Sequence, residues 1–273
     1  MRKLIIFMIL LLITVAVVPG PARASFISIE IESGAELLQN KLKVSLKVAN
    51  KGDESAGNLK ASIEASGRTI YGKSRKILGP NENFTEEFSS DVSFQKPGRY
   101  PVLVSVDYTD ANQYPFNALT ITYVDYGDAP NARVTGAIGV LRLSDRERMK
   151  VSVKNVDEVE RKVSVRLVNS KEFAVSGRVR EIALLPGDEK ELIFDIRNSG
   201  GLSGSTYPVF ALITYEDAAY HYLNVTSGSI MVVKRGLWHV LKMPLAILLA
   251  VLLCVILLFY LMKLKGVVFT KKR

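Results

Sequence analysis

Oxygen-bearing side chains cluster at two matching places in the sequence. The first group is Asp107, Asp110 and Asn112, and the second is Glu216 and Asp217. Carboxylate and amide oxygens are the ligands that Ca²⁺ takes in proteins, so both groups are calcium candidates. Neither group has a full ligand set at fixed loop spacing, and Asp or Asn after a strand also accepts hydrogen bonds from turn backbone. Turn formation is therefore the favoured interpretation, calcium is the alternative, and no metal site is predicted.

Aromatic residues follow each acidic group. Tyr114 and Phe116 lie in the loop after the first group, and Tyr220 and Tyr222 lie in the loop after the second. Exposed tyrosine is a good contact residue, because it buries a large area with little loss of side-chain entropy, and loops often carry recognition. We predict that these four residues bind a partner. The alternative is that Tyr220 and Tyr222 simply begin a strand and pack on one face of it.

The sequence has few residues suited to catalysis. Its only histidines are His221 and His239, and its one cysteine is Cys254. Nucleophilic or acid–base catalysis needs a nucleophile with its base, or a paired set of acids, and no such set stands in a recognisable motif. The glycine-rich segment 198–205 lacks the Gly-Lys-Ser/Thr ending and the following helix of a phosphate-binding loop. We predict a protein that is not an enzyme and uses no cofactor.

Short segments of alternating apolar and polar residues position these candidates. Every second residue is apolar in 42–48, and 59–65 and 100–108 alternate in the same way. This period predicts antiparallel strands with one buried face, separated by turns such as 78–82. Seven or so strands in about 100 residues, with no helical period, predict an all-β fold of the immunoglobulin-like sandwich type.

The order of strands and turns occurs twice along the chain. At a constant offset of 107 residues, Tyr-Pro-Val at 100–102 matches Tyr-Pro-Val at 207–209, and Tyr108 matches Tyr215. A fixed offset indicates two tandem domains of one type. Tyr100 and Tyr207 each start a strand after a corner, where a sandwich tyrosine commonly bonds through its hydroxyl to upstream backbone. We predict that structural role for both.

The repeated motifs resemble a known class of domain. An alternating strand that ends in Asn-x-Gly-Asp, a Leu-x-Pro-Gly/Asn-Glu turn, and Pro-Gly-x-Tyr before a strand ending in Asp-Tyr-x-Asp are similar to CARDB-type and S-layer-like immunoglobulin-fold domains of exported bacterial and archaeal proteins. The resemblance covers 26–125 and 132–235, although the second copy lacks the glycine at 155–157 and has Gly-Ser-Thr at 204–206 in place of Pro-Gly. It implies adhesion, envelope architecture or accessory binding, and no shared catalytic site.

Two apolar segments frame the repeat. Residues 1–24 have the charged start, apolar stretch and Ala-x-Ala ending of a secretory signal peptide, and an uncleaved N-terminal helix is the alternative. Residues 243–262 supply about 20 apolar positions, enough for a helix across a bilayer core of about 30 Å. The basic tail 263–273 places the C-terminus in the cytoplasm. The predicted domains are signal peptide 1–24, sandwich 25–125, linker 126–131, sandwich 132–235, transmembrane helix 243–262 and tail 263–273.

The charge distribution separates these segments from the repeat. The formal net charge of +9 comes from residues 1–24 and 237–273, so residues 25–236 are electroneutral. A basic surface for nucleic acid is therefore not expected on the exported part. Asn83 and Asn224 each begin an Asn-x-Thr sequon, which is a glycosylation site only if the host glycosylates such proteins.

Together these observations predict a single-pass protein of the plasma (inner) membrane with both domains outside the cytoplasm. We expect it to bind or scaffold another envelope or membrane protein, or a surface polymer. The alternative is an accessory subunit of a membrane transport, secretion or export complex, docked through its transmembrane helix and ectodomain.

Overall fold

The computed structural model describes residues 26–234, and these form only strands, turns and loops, which confirms the all-β prediction. The chain forms two compact units that divide between Asp128 and Ala129. The predicted segments 1–24, 243–262 and 263–273, and with them Cys254 and His239, lie outside the described residues. Among residues 26–234, no helix is long and apolar enough to cross a membrane.

Residues 26–128, the first unit, form seven strands in two sheets. One sheet has the strand order β1-β2-β5 and the other has the order β4-β3-β6-β7, and all these pairs are antiparallel. The strands are β1 (Ile29–Leu38), β2 (Lys41–Asn50), β3 (Ala56–Ala65), β4 (Arg68–Leu78), β5 (Asn83–Asp91), β6 (Gly98–Thr109) and β7 (Pro115–Tyr126).

The core of the first unit follows from the alternation. In β2 the four apolar residues from Leu42 to Val48 are at most 2% exposed, and the lysines between them are exposed. Removing such side chains from water is the main favourable term in folding, so the period-2 pattern decides which face of each strand turns inward. Both sheets contribute to one apolar cluster, which includes Leu59, Ile63, Phe84, Phe88, Val102, Val104 and Val106.

Residues 129–234, the second unit in its described part, form nine strands. One sheet has the order β12-β14-β10-β8, and the other has the order β13-β11-β15-β16, with β9 pairing in parallel with β16. The strands are β8 (Val134–Ile138), β9 (Val140–Leu143), β10 (Arg146–Asn155), β11 (Arg161–Asn169), β12 (Phe173–Ser176), β13 (Val179–Leu184), β14 (Glu189–Asn198), β15 (Thr206–Glu216) and β16 (His221–Val232).

The core of the second unit is again one apolar cluster, to which residues of both sheets contribute. Met149, Val151 and Val153 of β10 are at most 2% exposed, and Phe173 and Phe194 are its largest fully buried side chains. The two units therefore repeat one construction, in which two facing sheets enclose an apolar core as in a β-sandwich.

Each unit has an N-terminal end, where its chain enters, and a C-terminal end, where its chain leaves. In the first unit Phe26 marks the N-terminal end, because its backbone N–H donates to Asp53 Oδ1 at 2.7 Å. The loops 51–55, 79–82 and 110–114 lie at that end. In the second unit the loops 156–160, 185–188 and 217–220 lie at the N-terminal end, and 144–145, 170–172 and 199–205 lie at the C-terminal end.

Candidate functional site

The β6–β7 turn of the first unit holds the first acidic group. Asp110 Oδ1 accepts hydrogen bonds from the backbone N–H groups of Asn112 and Tyr114, each at 2.9 Å. The backbone adds two bonds, from Gln113 N to Asp110 O at 3.0 Å and from Asp110 N to Tyr114 O at 3.2 Å. One aspartate therefore organises the whole turn, as short polar side chains do at chain reversals.

The β15–β16 turn of the second unit repeats this device with one residue fewer. Asp217 Oδ1 accepts from the N–H groups of Ala219 at 2.9 Å and Tyr220 at 2.8 Å, and Asp217 N donates to Tyr220 O at 3.1 Å. Because of the shorter turn, Tyr114 and Phe116 correspond to Tyr220 and Tyr222 at an offset of 106 rather than 107.

The same contacts account for the calcium candidates. Asp107 Oδ1 accepts from Asn117 Nδ2 at 2.7 Å, and Asp110 binds turn backbone, as does Asp217. Asn112 contributes its backbone N–H to that turn. Among residues 26–234, no three His, Cys, Asp or Glu side chains are grouped so that they could hold a metal ion.

The four predicted binding aromatics differ in exposure. Tyr114 is 66% exposed, whereas Phe116 is 8% exposed and packs 5.7 Å from the ring of Tyr108. The prediction that all four lie in loops is wrong for two of them, because β7 begins at Pro115 and β16 at His221, so Phe116 and Tyr222 are strand residues. The alternative interpretation, that Tyr222 begins a strand and packs on the fold, describes its position.

Tyr222 is engaged within its own unit. Its ring stacks on Tyr215 with centroids 4.6 Å apart and an interplanar angle of 8°, and its hydroxyl donates to Asp217 Oδ2 at 2.8 Å. Tyr220 packs edge-on against Tyr222 at 6.3 Å and is half-buried. The aromatic residues of the second turn thus contact each other and the aspartate that shapes the turn.

Arg161, at the start of β11, completes this cluster. Its Nη2 lies 2.6 Å from Asp157 Oδ2 and its Nη1 lies 3.7 Å from Asp217 Oδ2. The guanidinium also lies over the rings of Tyr215 at 5.3 Å and Tyr222 at 5.9 Å, within cation–π range. Sequence pattern alone does not indicate this role for Arg161, because Asp217 and both tyrosines belong to the β15–β16 hairpin, far from Arg161 along the chain.

The ionisable groups of this cluster are shifted accordingly. Burial, together with the hydrogen bond to Asp217, raises the pKa of Tyr222 to about 12. Partial burial acts to raise the pKa of Asp217, but the bonds from Tyr220 N–H, Tyr222 hydroxyl and Ala219 N–H outweigh it and leave the pKa below its ordinary value. The hydrogen bond from Arg161 likewise lowers the pKa of Asp157. The cluster therefore holds its tyrosine neutral and its carboxylates charged.

In the first unit the support of the turn comes from a neighbouring bulge instead. Strand β3 shifts register between Gly57 and Lys60, and Asn58 there has a φ of +51°. Asn58 Nδ2 donates to Gln113 Oε1 at 3.0 Å, and Gln113 itself has a φ of +65°. Bulges redirect strands and side chains, and here the bulge reaches the turn that carries Tyr114.

A buried asparagine ties the loops of each N-terminal end together. Asn50 and Asn155 are both fully buried, and their Nδ2 atoms donate to the carbonyls of Leu78 at 3.1 Å and Leu184 at 3.0 Å. The Oδ1 atom of Asn50 accepts from Gly52 N at 3.0 Å, and that of Asn155 accepts from the residue-157 N–H at 3.0 Å. The sequence pattern shows each asparagine only as the end of an alternating strand and does not indicate its burial.

The turn glycine that the second copy lacks has a local reason in the first. A Cβ on Gly52 would collide with the carbonyl oxygen of Phe26 and lie 2.8 Å from Ser28 N, because the incoming chain crosses this loop. In the second unit Asp157 occupies the matching position and pairs with Arg161. Only the first unit therefore requires glycine at this point of the loop.

The remaining predicted residues have clear positions. Tyr100 hydroxyl donates to Lys96 O at 2.8 Å, and Tyr207 hydroxyl accepts from Leu202 N at 3.0 Å, which confirms that both bind upstream backbone. Asn83 is exposed at the first position of β5, and Asn224 is half-buried within β16.

Comparisons with known proteins identify no family for this chain. No family model matches the sequence, and no curated protein matches it. Solved structures that it resembles include Escherichia coli alpha-2-macroglobulin, with 12% identity and a TM-score of 0.30 over 76% of this chain. They also include red sea bream transglutaminase, with 13% identity and a TM-score of 0.26 over 76% of this chain, and a Porphyromonas gingivalis W83 protein of unknown function, with 14% identity and a TM-score of 0.30 over 75%.

The lengths covered in those proteins are unequal. The chain spans 17% of the alpha-2-macroglobulin and 32% of the transglutaminase, but 99% of the Porphyromonas gingivalis protein is covered. Because the TM-scores are low, no functional argument rests on these likenesses. The resemblance to CARDB-type and S-layer-like domains stays a prediction.

Proposed function

We propose that this chain is a non-enzymatic binding or scaffolding protein, tethered to the plasma membrane, whose two immunoglobulin-like units of CARDB or S-layer type stand outside the cytoplasm. Tyr114 is the contact residue in this proposal. The observation that carries it is the 66% exposure of Tyr114 at the end of a turn closed by the Asp110 carboxylate and by backbone hydrogen bonds.

The turn suits recognition because it is ordered before any partner arrives. Tyr114 N–H is bound to Asp110 Oδ1, and the preceding Gln113 is held by Asn58. A side chain on a pre-organised turn loses little backbone entropy on binding, and tyrosine itself has only two rotatable side-chain bonds. An exposed phenol can pack against apolar or sugar surfaces and can donate or accept a hydrogen bond.

The place of this turn along the chain supports the same function. It lies in the first unit, and the predicted anchor 243–262 follows the second unit. Along the chain, the whole second unit therefore comes between Tyr114 and the predicted anchor. This order favours a partner in the envelope, either a protein or a surface polymer, over a partner within the bilayer.

Site-specific photo-crosslinking in native membranes tests the proposal. We expect a photoreactive phenylalanine at position 114 of the full-length chain to give a discrete crosslinked product. The matched control is position 71, because Tyr71 is 62% exposed in the same unit but lies on β4. Equal products from both positions, or none from 114, would contradict the proposal.

The same crosslinking experiment on a truncated chain distinguishes the proposed function from the accessory-subunit alternative. If the accessory-subunit alternative holds and docking needs the transmembrane helix, a chain that ends before residue 243 would lose the product at position 114. We expect the product to persist, since the proposed contact is made by the first unit.

A further inference from the structure

The charged pairs between strands β10 and β14 differ between the C-terminal end of the second unit and the rest of these two strands. Strands β10 and β14 pair in antiparallel register, with Arg148 opposite Asp195 and Lys154 opposite Glu189 on the outer face. The guanidinium of Arg148 lies 3.6 Å from Asp195, and Lys154 Nζ lies 3.8 Å from Glu189. Opposite charges across a rung stabilise a sheet, so these rungs follow the expected rule.

The last rung breaks that rule. Arg146 lies directly opposite Arg197, on the same outer face and with both side chains exposed. Within residues 26–234 neither guanidinium forms an ion pair with a carboxylate. Like charges directly opposite each other are unfavourable in a sheet, and an anion held between two guanidinium groups would remove that repulsion.

More cations and one apolar residue lie at the same end. Lys171 and Lys234 are exposed there, and the carboxylates of the same end are the exposed Asp145 and Glu147 and the 5% exposed Glu172. Leu202 is 52% exposed in the glycine- and serine-rich loop 199–205. Exposed cations and an exposed leucine at one end of a unit are the composition of a surface that meets lipid headgroups.

The loop that carries Leu202 is fastened to the strand that leaves the unit. Gly204 N donates to Val232 O at 2.7 Å, and Val232 N donates to Ser205 O at 3.0 Å. From Lys234 to Met243, the first residue of the predicted span, the chain can reach at most about 30 Å. A bilayer that holds the span therefore lies within a short tether of Leu202.

We propose that the C-terminal end of the second unit docks on the anionic lipid surface of the membrane in which the chain is anchored. Arg146 and Arg197 bind headgroup phosphates, and Leu202 enters the headgroup region. This inference rests on the anchored placement in the proposed function, but it concerns a different end of the molecule from Tyr114. Docking fixes the orientation of the second unit against the membrane.

Fluorescence of the full-length chain in vesicles tests this docking. With Cys254→Ala as background, Leu202→Cys carries an environment-sensitive label, and Leu185→Cys is the matched control. Leu185 is 57% exposed at the opposite end of the same unit. The vesicles contain phosphatidylcholine alone or with phosphatidylglycerol, each with and without lipids that carry a quencher near the headgroup.

We expect the label at 202 to be quenched and shifted to the blue in vesicles with phosphatidylglycerol, and the label at 185 to be unaffected. Arg146→Ala with Arg197→Ala should abolish the quenching at 202. Arg148→Ala with Lys150→Ala removes the same number of charges from the same face, and should leave it intact.

Two results would overturn the inference while leaving the anchor in place. The first is that the labels at 202 and 185 are quenched equally, or not at all, in a chain that resists alkaline extraction. The second is that the quenching at 202 is the same with and without phosphatidylglycerol, or the same with and without Arg146 and Arg197. A chain that alkaline carbonate extracts from the vesicles would instead overturn the anchored placement, and this inference with it.

Discussion

The β6–β7 turn of the first unit and the β15–β16 turn of the second share one backbone device and use their aromatic residues differently. In both, an aspartate binds two N–H groups of the turn. In the second unit Tyr222 then binds Asp217 and stacks on Tyr215. Tyr220, the residue that matches Tyr114, packs edge-on against Tyr222 and is half-buried, whereas Tyr114 in the first unit is 66% exposed.

The difference shows how a repeated domain can divide its tasks. In the second unit Arg161 contacts two aspartates and two tyrosine rings, so those side chains form one cluster that stabilises the fold. The first unit has Ala56 at the matching position of its sequence, and it supports its turn through Asn58 instead. The aromatic side chain of that turn is then available for a contact outside the unit.

The largest expected effect concerns what the two units share. Replacing Asn50 or Asn155 with alanine removes a buried amide and leaves its backbone partners unsatisfied, which should destabilise the unit concerned by about 3 kcal/mol. Hydrogen exchange of the full-length chain, followed by mass spectrometry, resolves the loss in each unit. Asn83→Ala is the exposed control and should change little; a similar loss there would contradict the account.

Arg161→Ala should have the next largest effect, and only in the second unit. Because the guanidinium lies over two tyrosine rings, we expect amide exchange around them to become about tenfold faster. Arg148→Ala is the control, since its ion pair is exposed and such pairs contribute little. Equal effects of the two replacements would mean that the cluster does not stabilise its unit.

An exchange of the matched residues Tyr222 and Phe116 should have a smaller effect that differs between units. Tyr222→Phe loses the hydrogen bond to Asp217 and should cost the second unit about 1 kcal/mol. Phe116→Tyr adds a hydroxyl beside a turn that already has its own support, and should not stabilise the first unit. Thermal unfolding followed by tryptic digestion of each unit measures both, and a gain from Phe116→Tyr would show that the turns are equivalent.

The smallest effect should be a loss of stability at alkaline pH. The pKa of Tyr222 is raised to about 12 in the folded unit, whereas that of an unfolded tyrosine is about 10. The stabilisation that the neutral Tyr222 hydroxyl gives the second unit is therefore complete below about pH 10. It is lost as the pH rises toward the pKa of Tyr222 in the folded unit. Hydrogen exchange or unfolding measured between about pH 10 and pH 12 should show a pH-dependent loss of stability in the second unit of the unchanged chain, and no such loss in Tyr222→Phe. The same pH profile in the unchanged chain and in Tyr222→Phe would rule out this linkage.

The sequence was sufficient for features set by local pattern. The alternation at Leu42, Val44, Leu46 and Val48 predicts a strand with one buried face, and those residues are buried in β2. The fixed spacing of Tyr100 and Tyr207 predicts a shared structural role, and both hydroxyls bind upstream backbone. In each case the signal lies within a few residues.

Features that depend on several distant loops could not be predicted in this way. Asn155 donates to carbonyls about 30 residues away, so its sequence neighbourhood shows only a turn. Phe116 follows a loop directly, and its burial depends on where β7 begins against β6. The contacts of Tyr222 depend in part on Arg161, which lies over its ring but stands far from it along the chain.

The most direct test of the central claim compares the two matched turn tyrosines in one experiment. Full-length chains with Tyr114→Ala or Tyr220→Ala would be captured from their native membranes under gentle crosslinking, and the amount of co-captured partner would be measured against the unchanged chain. The account predicts that Tyr114→Ala loses the partner and Tyr220→Ala retains it. Loss with Tyr220→Ala and retention with Tyr114→Ala would contradict it.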